Sequence, residues 1–368
     1  MEPYTPESLP LTKLDYQRLI QPVGRANAEL ARYDGLLQGL VNPGLMLSPL
    51  TTQEAVLSSR IEGTQASLDE VLEHEAGDTK SGEKGEDIQE IVNYRMALML
   101  AHEVLADSPI NLGLIRQMHQ VLMNSVRGQD KSPGEFRKDQ NWIGAPGCKI
   151  ESATFVPPNP LQLQDYLLAW QEYLHIQDFD PLVQTAIIHA QFELIHPFKD
   201  GNGRIGRLLI PLFLFQTKTL SQPMFYLSAY LESHRDVYYN RLQRISKEQD
   251  WNGWIEFFLQ AVIEQSQANS AKVRQILHLY EEMKQKIEQT TNSPYGLRLL
   301  DTIFNRPIFS TTNFVERSEI PRPTALPLLR KLKEAGILLP WRNARGSSPE
   351  ILIFPDLLEI VEERAPHK

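Results

Sequence analysis

His196-Pro-Phe-Lys-Asp-Gly-Asn-Gly-Arg-Ile-Gly-Arg207 is the stretch from which the rest of the chain can be read. Pro197 disfavours helical geometry at His196, so a helix arriving from upstream stops there. Gly201 and Gly203 leave backbone N–H groups open to close approach by a ligand. A helix beginning at about Gly203 turns its unsatisfied amides and its positive dipole end towards that loop, which suits an anion. Arg204 and Arg207 lie three apart on adjacent helix surface, where two guanidiniums can hold phosphate oxygens. Asp200 offers a hard oxygen ligand for Mg²⁺ beside them. His196 is a proton acceptor whose ordinary pKa lies near neutrality. Base, metal ligand, anion nest and paired arginines together point to phosphoryl-group chemistry.

The same residues admit other readings. Gly201-Asn-Gly-Arg-Ile-Gly206 matches the dinucleotide fingerprint G-x-G-x-x-G, but that motif works after a strand and within a βαβ unit. Here a helix precedes it and no strand follows the next helix. His189, Glu193 and His196 share one helical face, as metal ligands would. The H-E-x-x-H order is absent, however, and a buried polar role for His189 is preferred. Leu208 to Phe215 is apolar nearly all round and reads as a buried core helix.

The segment resembles the Fic signature His-x-Phe-x-Asp/Glu-Gly-Asn-Gly-Arg-x-x-Arg, with every fixed position filled. The likeness extends to Gly134-Glu-Phe-Arg137, to Asn141-Trp-Ile-Gly144 and to Ala153-Thr-Phe-Val-Pro-Pro158. The resemblance implies a mainly α fold, a helical core carrying a short β-hairpin flap that binds the target. Ala153, Thr154, Phe155 and Val156 would form that flap. It also implies transfer of AMP from ATP to a Ser, Thr or Tyr hydroxyl of a target protein. His196 would deprotonate the hydroxyl and Asp200 would hold Mg²⁺ between the α- and β-phosphates. Asn202, with the amides around Gly201 and Gly203, would stabilise the α-phosphate, and Arg204 and Arg207 would bind the phosphate tail. Tyr238 and Tyr239 match a Tyr-Tyr pair near the nucleotide base in relatives. Removal of AMP from a target, or transfer of another phosphate-linked group, stays open as an alternative. Gly203 favours the usual nucleotide orientation, because a lysine there would mark the kinase-type relatives. Self-modification and a homodimer are also compatible with the resemblance.

Upstream, Ser58-Ser-Arg-Ile-Glu-Gly63 resembles the family's inhibitory pattern Ser/Thr-x-x-x-Glu-Gly/Asn. Ser58 and Glu62 are one helical turn apart and can face the same neighbour. The resemblance implies that Glu62 pairs with Arg207, takes the place of a γ-phosphate and leaves ATP misaligned for attack. Its helix is expected over about 53–63, closed by Gly63.

Helix-type spacing dominates the rest of the chain. Early helices are expected around Leu14 to Leu37, interrupted by Pro22 and Gly24. Another starts near Ser67, and Ala76 to Asp87 reads as a solvated loop. Further helices are expected at Ile88–Leu105, Leu112–Met123, Leu161–His175, Pro181–Ile195, Gly203–Gln216, His234–Gln265 and Ser270–Gln289. The organisation that follows is an N-terminal helical region over 1–105, a catalytic core over 106–289 and a separate module over 290–368. In that module three short helices precede two strands, Ile337–Trp341 and Ile351–Phe354, which is the pattern of a winged helix-turn-helix.

Composition bounds the partners. Apolar content of 42% and charged content of 23% fit an ordinary globular chain. No apolar run is long enough to span a bilayer, and no export signal is recognised, so a cytoplasmic protein without a membrane partner is expected. A single cysteine, Cys148, excludes an intrachain disulfide. The net charge of −9 argues against wholesale nucleic-acid binding. Residues 290–368 carry 11 Lys and Arg against 9 Asp and Glu, so DNA binding survives there as a second hypothesis, through Arg322, Arg330, Lys331, Lys333, Arg342 and Arg345. Pro323 and Pro327 make an awkward recognition helix, and a protein-contact module is the competing interpretation.

Overall fold

The structure, a computed structural model, describes residues 2–78, 82–124, 131–145, 147–344 and 349–363. Helices α1 (Tyr16–Gln38), α2 (Pro43–Met46), α3 (Ser48–Ile61), α4 (Leu68–Glu75) and α5 (Glu83–Val104) form the N-terminal region. The core continues with α6 (Leu112–Leu122), α7 (Leu163–Leu174), α8 (Pro181–Ile195), α9 (Asn202–Gln216), α10 (Ser228–Ser233), α11 (Arg235–Glu248) and α12 (Trp251–Thr291). The last module comprises α13 (Gly296–Asn305), β1 (Ile308–Ser310), α14 (Thr311–Ser318), α15 (Arg322–Glu334), β2 (Leu339–Arg342), β3 (Ile351–Ile353) and α16 (Pro355–Glu362).

Helix α8 is the hub. Asp180 caps its N-terminus by accepting from Leu182 and Val183 N–H. Every residue of α8 is buried except Pro181 and Glu193, because α9, α7, α12 and α1 all pack on it. A helix enclosed in this way needs no polar face, which explains its near-continuous apolar sequence.

Helix α12 runs unbroken for 41 residues, about 60 Å at the α-helical rise. Its first half backs the core against α1 and α8, and its second half carries α13, α15 and α16. The sequence expectation of two helices here is corrected. The break falls earlier, at Gln249, which takes a left-handed φ of 56° before Asp250 caps α12.

Three other boundaries differ from expectation. Pro22 does not interrupt α1, which runs straight through it. Losing one hydrogen bond and crowding the preceding turn costs about 3 kcal/mol. Burial of Leu19, Val23, Ala26, Leu30 and Leu37 against α12 outweighs that cost. Helix α5 starts at Glu83, inside the stretch read as loop, since Asp87 accepts from Gln65 N–H and Lys84 pairs with Glu70. The flap hairpin contracts to an antiparallel bridge, Ile143 to Phe155, with no strand on either side among the described residues. By contrast α4 begins where expected, with Ser67 and Glu70 forming a capping box.

The three-stranded antiparallel sheet of the last module has the order β1-β3-β2. Its hairpin strands are those expected from the sequence; β1 and α16 are additions to that expectation. Arg345 lies outside the described residues. No helix among the described residues is long and apolar enough to cross a membrane.

Candidate active site

His196 closes α8 in the left-handed region, at φ 50° and ψ 61°. Its amide still donates to Phe192 O, and the chain then leaves the helix axis at Pro197. Such a conformation costs about 1 kcal/mol or more for a residue with a Cβ, so its surroundings must hold it. Arg137 does so. This guanidinium, 3% exposed, donates to His196 O at 2.9 Å and to Pro158 O at 2.6 Å, placing a cation at the negative end of α8. The His196 Nδ1 lies 3.3 Å from Glu193 O. A carbonyl can only accept, so the ring proton sits on Nδ1 and Nε2 is left as the basic nitrogen. Burial pushes the imidazole down to about 4, which keeps it neutral and able to accept a proton at neutral pH.

The loop after His196 is stitched from within. Asn202 Oδ1 accepts from Phe198 N–H at 2.8 Å, and its Nδ2 donates to Phe198 O at 2.9 Å. Asp200 accepts from Gly201 N–H at 2.6 Å. Gly201 has φ 75°, and a Cβ there would press on Met123 Sδ at 3.1 Å, so glycine is required on both counts. His119 supports the loop from below. Gly134 N–H donates to its Nδ1 at 2.8 Å, which leaves Nε2–H to donate to Asp200 O at 3.0 Å. Its ring stacks on Phe198 at 3.7 Å. Nothing near His119 in the sequence marks it, because both partners come from distant segments.

The two motif arginines face different ways. Arg207, with 1% of its side chain exposed, donates from Nε to Ser58 Oγ at 2.8 Å and from Nη2 to Ser58 O at 2.9 Å and Glu62 Oε1 at 2.7 Å. Arg204 turns towards α5, pairing with Glu90 at 2.8 Å and reaching Asp200 at 3.5 Å. Burial raises the Glu62 carboxyl, but the charge and hydrogen bond of Arg207 outweigh it and hold the group below the usual range. Helix α3, which delivers Ser58 and Glu62, is pinned at its middle. Glu54, pushed up to about 7 by burial, accepts from Ser228 N–H at 3.0 Å and Ser228 Oγ at 2.6 Å.

Glu62, Glu193, His196, Gly203, Arg207, Tyr238 and Tyr239 line one cavity of about 770 Å³, a size ordinary for a cofactor-sized ligand. Trp142, Ile143, Thr154 and Phe155 form its flap side. Ala153 and Val156 lie buried behind them, with Val156 O accepting from Tyr4 N–H at 2.8 Å. The buried Tyr238 hydroxyl is 3.0 Å from His189 Nε2, and His189 Nδ1 donates to Gly206 O at 2.9 Å. Both nitrogens of His189 are therefore committed to joining α8, α9 and α11. Tyr239 is 41% exposed at the rim, with Arg235 over its ring.

The geometry has parallels among known proteins. The model of the Fic/DOC family N-terminal region matches residues 20–103, and that of the Fic/DOC family matches residues 109–214. Among curated relatives, "Protein adenylyltransferase Fic" of Aedes aegypti is 29% identical over 151 residues, 40% of this chain and 27% of that protein. A "Probable protein adenylyltransferase" of Aquifex aeolicus is 28% identical over 187 residues, 48% of this chain and 51% of that protein. The chain thus matches between about a quarter and a half of the length of these relatives. Among solved structures, a Fic family protein from Desulfovibrio desulfuricans superposes with a TM-score of 0.58 at 20% identity, covering 96% of this chain and 98% of that one. A Fic domain containing signaling protein from Bacteroides thetaiotaomicron gives 0.56 at 17% identity, over 68% of this chain and 97% of that one. The likeness to the first of these runs through nearly the whole fold, while the two family matches take in Glu62 and the cavity residues from Trp142 to Arg207 but not those of α11. The chain belongs to the Fic/DOC family.

Proposed function

We propose that the chain is a protein adenylyltransferase, moving AMP from ATP to a hydroxyl of a target protein, and that Glu62 holds it in an inhibited state. The observation that carries this is the Arg207–Glu62 ion pair at 2.7 Å inside the cavity that also holds His196.

His196 Nε2 takes the proton of the acceptor hydroxyl while the Nδ1 proton stays with Glu193 O. The hydroxyl oxygen attacks the α-phosphorus in line, and pyrophosphate leaves. The amides at the start of α9, around Gly201 and Gly203, receive the developing charge. Asn202 serves by keeping that loop in shape. Arg207 binds the β- and γ-phosphates, and Arg204 supports Asp200. Tyr238 and Tyr239 flank the base side, and the flap from Ala153 to Val156 positions the target. Asp200 has 49% of its side chain exposed and offers a hard oxygen at the loop edge, so it would hold Mg²⁺ there. When bound, the ion would supply charge neutralisation on the phosphates.

Inhibition follows from competition. Glu62 occupies the guanidinium that the phosphate tail needs, and its charge opposes the triphosphate. Glu62→Gly is expected to raise AMP transfer from radiolabelled ATP to protein by at least 100-fold. Adding His196→Ala is expected to abolish it. Equal incorporation by Glu62→Gly and the parent protein would remove Glu62 from this role.

The last module is better explained by protein contact than by DNA. Arg342 pairs with Asp78 at 2.7 Å, Lys333 pairs with Glu350, and Lys331 donates to Thr291 O. Much of the positive charge proposed for a duplex is thereby engaged within the chain. Salt-dependent binding of duplex DNA by the full chain would reverse this assignment.

A further inference from the structure

Glu193 stands apart from its helix. It faces the cavity beside His196, Gly203 and Arg207, whereas the rest of α8 after Pro181 is buried. Its Oε1 is buried and has no hydrogen-bond partner among the described residues. The reason is visible at Gly206, where a Cβ would meet Oε1 at 2.4 Å. The oxygen lies against helix backbone whose N–H groups are already used.

The polar neighbours compensate a charge there only in part. Arg207 gives Nε and Nη2 to Ser58 and Glu62. His189 is committed to Gly206 O and Tyr238, and His196 Nδ1 to the Glu193 carbonyl. From α11, Tyr238 and Tyr239 face the same space, and Glu62 adds a like charge. An ionised carboxylate without donors costs several kcal/mol, so the group holds its proton instead. Burial, the largest influence, pushes Glu193 up to about 8; the pull of Arg207 opposes it, and Glu62 adds a smaller push upward.

We infer that Glu193 is a further nucleotide-binding residue of this cavity, which meets the ligand as the neutral acid and donates a hydrogen bond to an oxygen of the phosphate chain. The inference rests on the adenylyltransferase reading. As an acid, Glu193 adds a donor to the cavity wall it shares with Arg207 and Gly203. As a carboxylate it would add a second negative charge, beside Glu62, facing the polyphosphate. Affinity for nucleoside triphosphate should therefore hold at neutral pH and fall as the proton is lost above about 8.

The test uses the full chain carrying Glu62→Gly, with the α,β-methylene analogue of ATP and Mg²⁺, by calorimetry from pH 6.5 to 9.5. Removing the Glu62 charge takes away one push on Glu193, so the rise begins at a lower pH than in the parent; the Kd is expected to climb with pH and to approach a tenfold rise per pH unit, the limit for loss of one proton. With Glu193→Gln added, which keeps a donor and no charge, the Kd at the acid end of the range should stay within threefold and the alkaline rise should vanish. Adenosine, lacking phosphates, should show no rise in either protein. A level Kd in the Glu62→Gly protein, or an unchanged rise after Glu193→Gln, overturns the role of Glu193 and leaves the nucleotide site standing. Should Glu193→Gln fold poorly, the Glu62→Gly profile and its adenosine control decide alone. Absence of analogue binding at every pH overturns both this inference and the adenylyltransferase reading.

Discussion

Glu62 shows how one carboxylate can engage a buried guanidinium from a distant helix. Its partner lies 145 residues away in the chain, and the pair engages the guanidinium that the proposed reaction assigns to phosphate oxygens. The glycine at 203 is part of the arrangement, since a Cβ there would sit 2.1 Å from Glu62 Oε1. The pair has a pH signature. Because Glu62 is held below its ordinary value, its contribution to folding is present above about pH 4.5 and disappears as pH falls through the depressed folded value. Thermal melts of the parent and Glu62→Gln should differ by a constant amount, about 1 kcal/mol for a partly exposed pair, from pH 5 to 8. They should converge in acid; a gap that persists at pH 3 would contradict the pairing. His119 makes a second test. His119→Phe keeps the stack on Phe198 but leaves Gly134 N–H and Asp200 O without their partner, and should cost about 1–3 kcal/mol in denaturant melts.

The helices divide by how locally they are specified. Pro181–Ile195 is bounded by signals inside its own sequence, Asp180 and Pro181 at one end and His196-Pro197 at the other, and its expected limits coincide with α8. Asp180→Ala is expected to cost about 1 kcal/mol through loss of that cap, somewhat more because Asp180 also accepts from Asn27 at 2.8 Å. Helix α1 is the opposite case. Local rules break it at Pro22, and only packing on α12 carries it through. Replacing Pro22 by Ala should restore the missing bond to Arg18 O and raise the melting temperature; a lowered one would show that the proline ring is itself well packed. The start of α5 at Glu83 was illegible for a related reason, since its first turn is charged and takes its partners from α4 and the loop before it.

Across the molecule, the last module is joined to the segment that follows Glu62. Glu75, at the end of α4, accepts from Arg95 at 2.8 Å and also from Arg306, while its backbone carbonyl accepts from Asn313 at 2.9 Å. Trp341 Nε1 donates to Glu73 at 2.7 Å. Arg306 and Glu75 are largely buried, with 15% and 13% of their side chains exposed, so Arg306→Ala should cost about 1–3 kcal/mol by leaving the Glu75 carboxylate with Arg95 as its remaining cation. Hydrogen exchange should report that loss in α4 and α13 before α8; uniform protection in all three would refute the coupling.

Between His196 and Arg207 the motif was legible because histidine, glycines, aspartate and arginines are near neighbours, and a turn between two helices can place them only a few ångströms apart. The pairing of Glu62 was anticipated by resemblance to a short pattern, not by any local rule. Which way each arginine points depended on what packs beside α9: α5 supplies Glu90 to Arg204, and α3 supplies Ser58 and Glu62 to Arg207. His119 and Arg137 emerged as supports of the loop only after distant segments closed around it. So did the unpartnered oxygen of Glu193. Sequence order fixes which groups are adjacent along the backbone, whereas burial and hydrogen bonding depend on neighbours that only folding brings together.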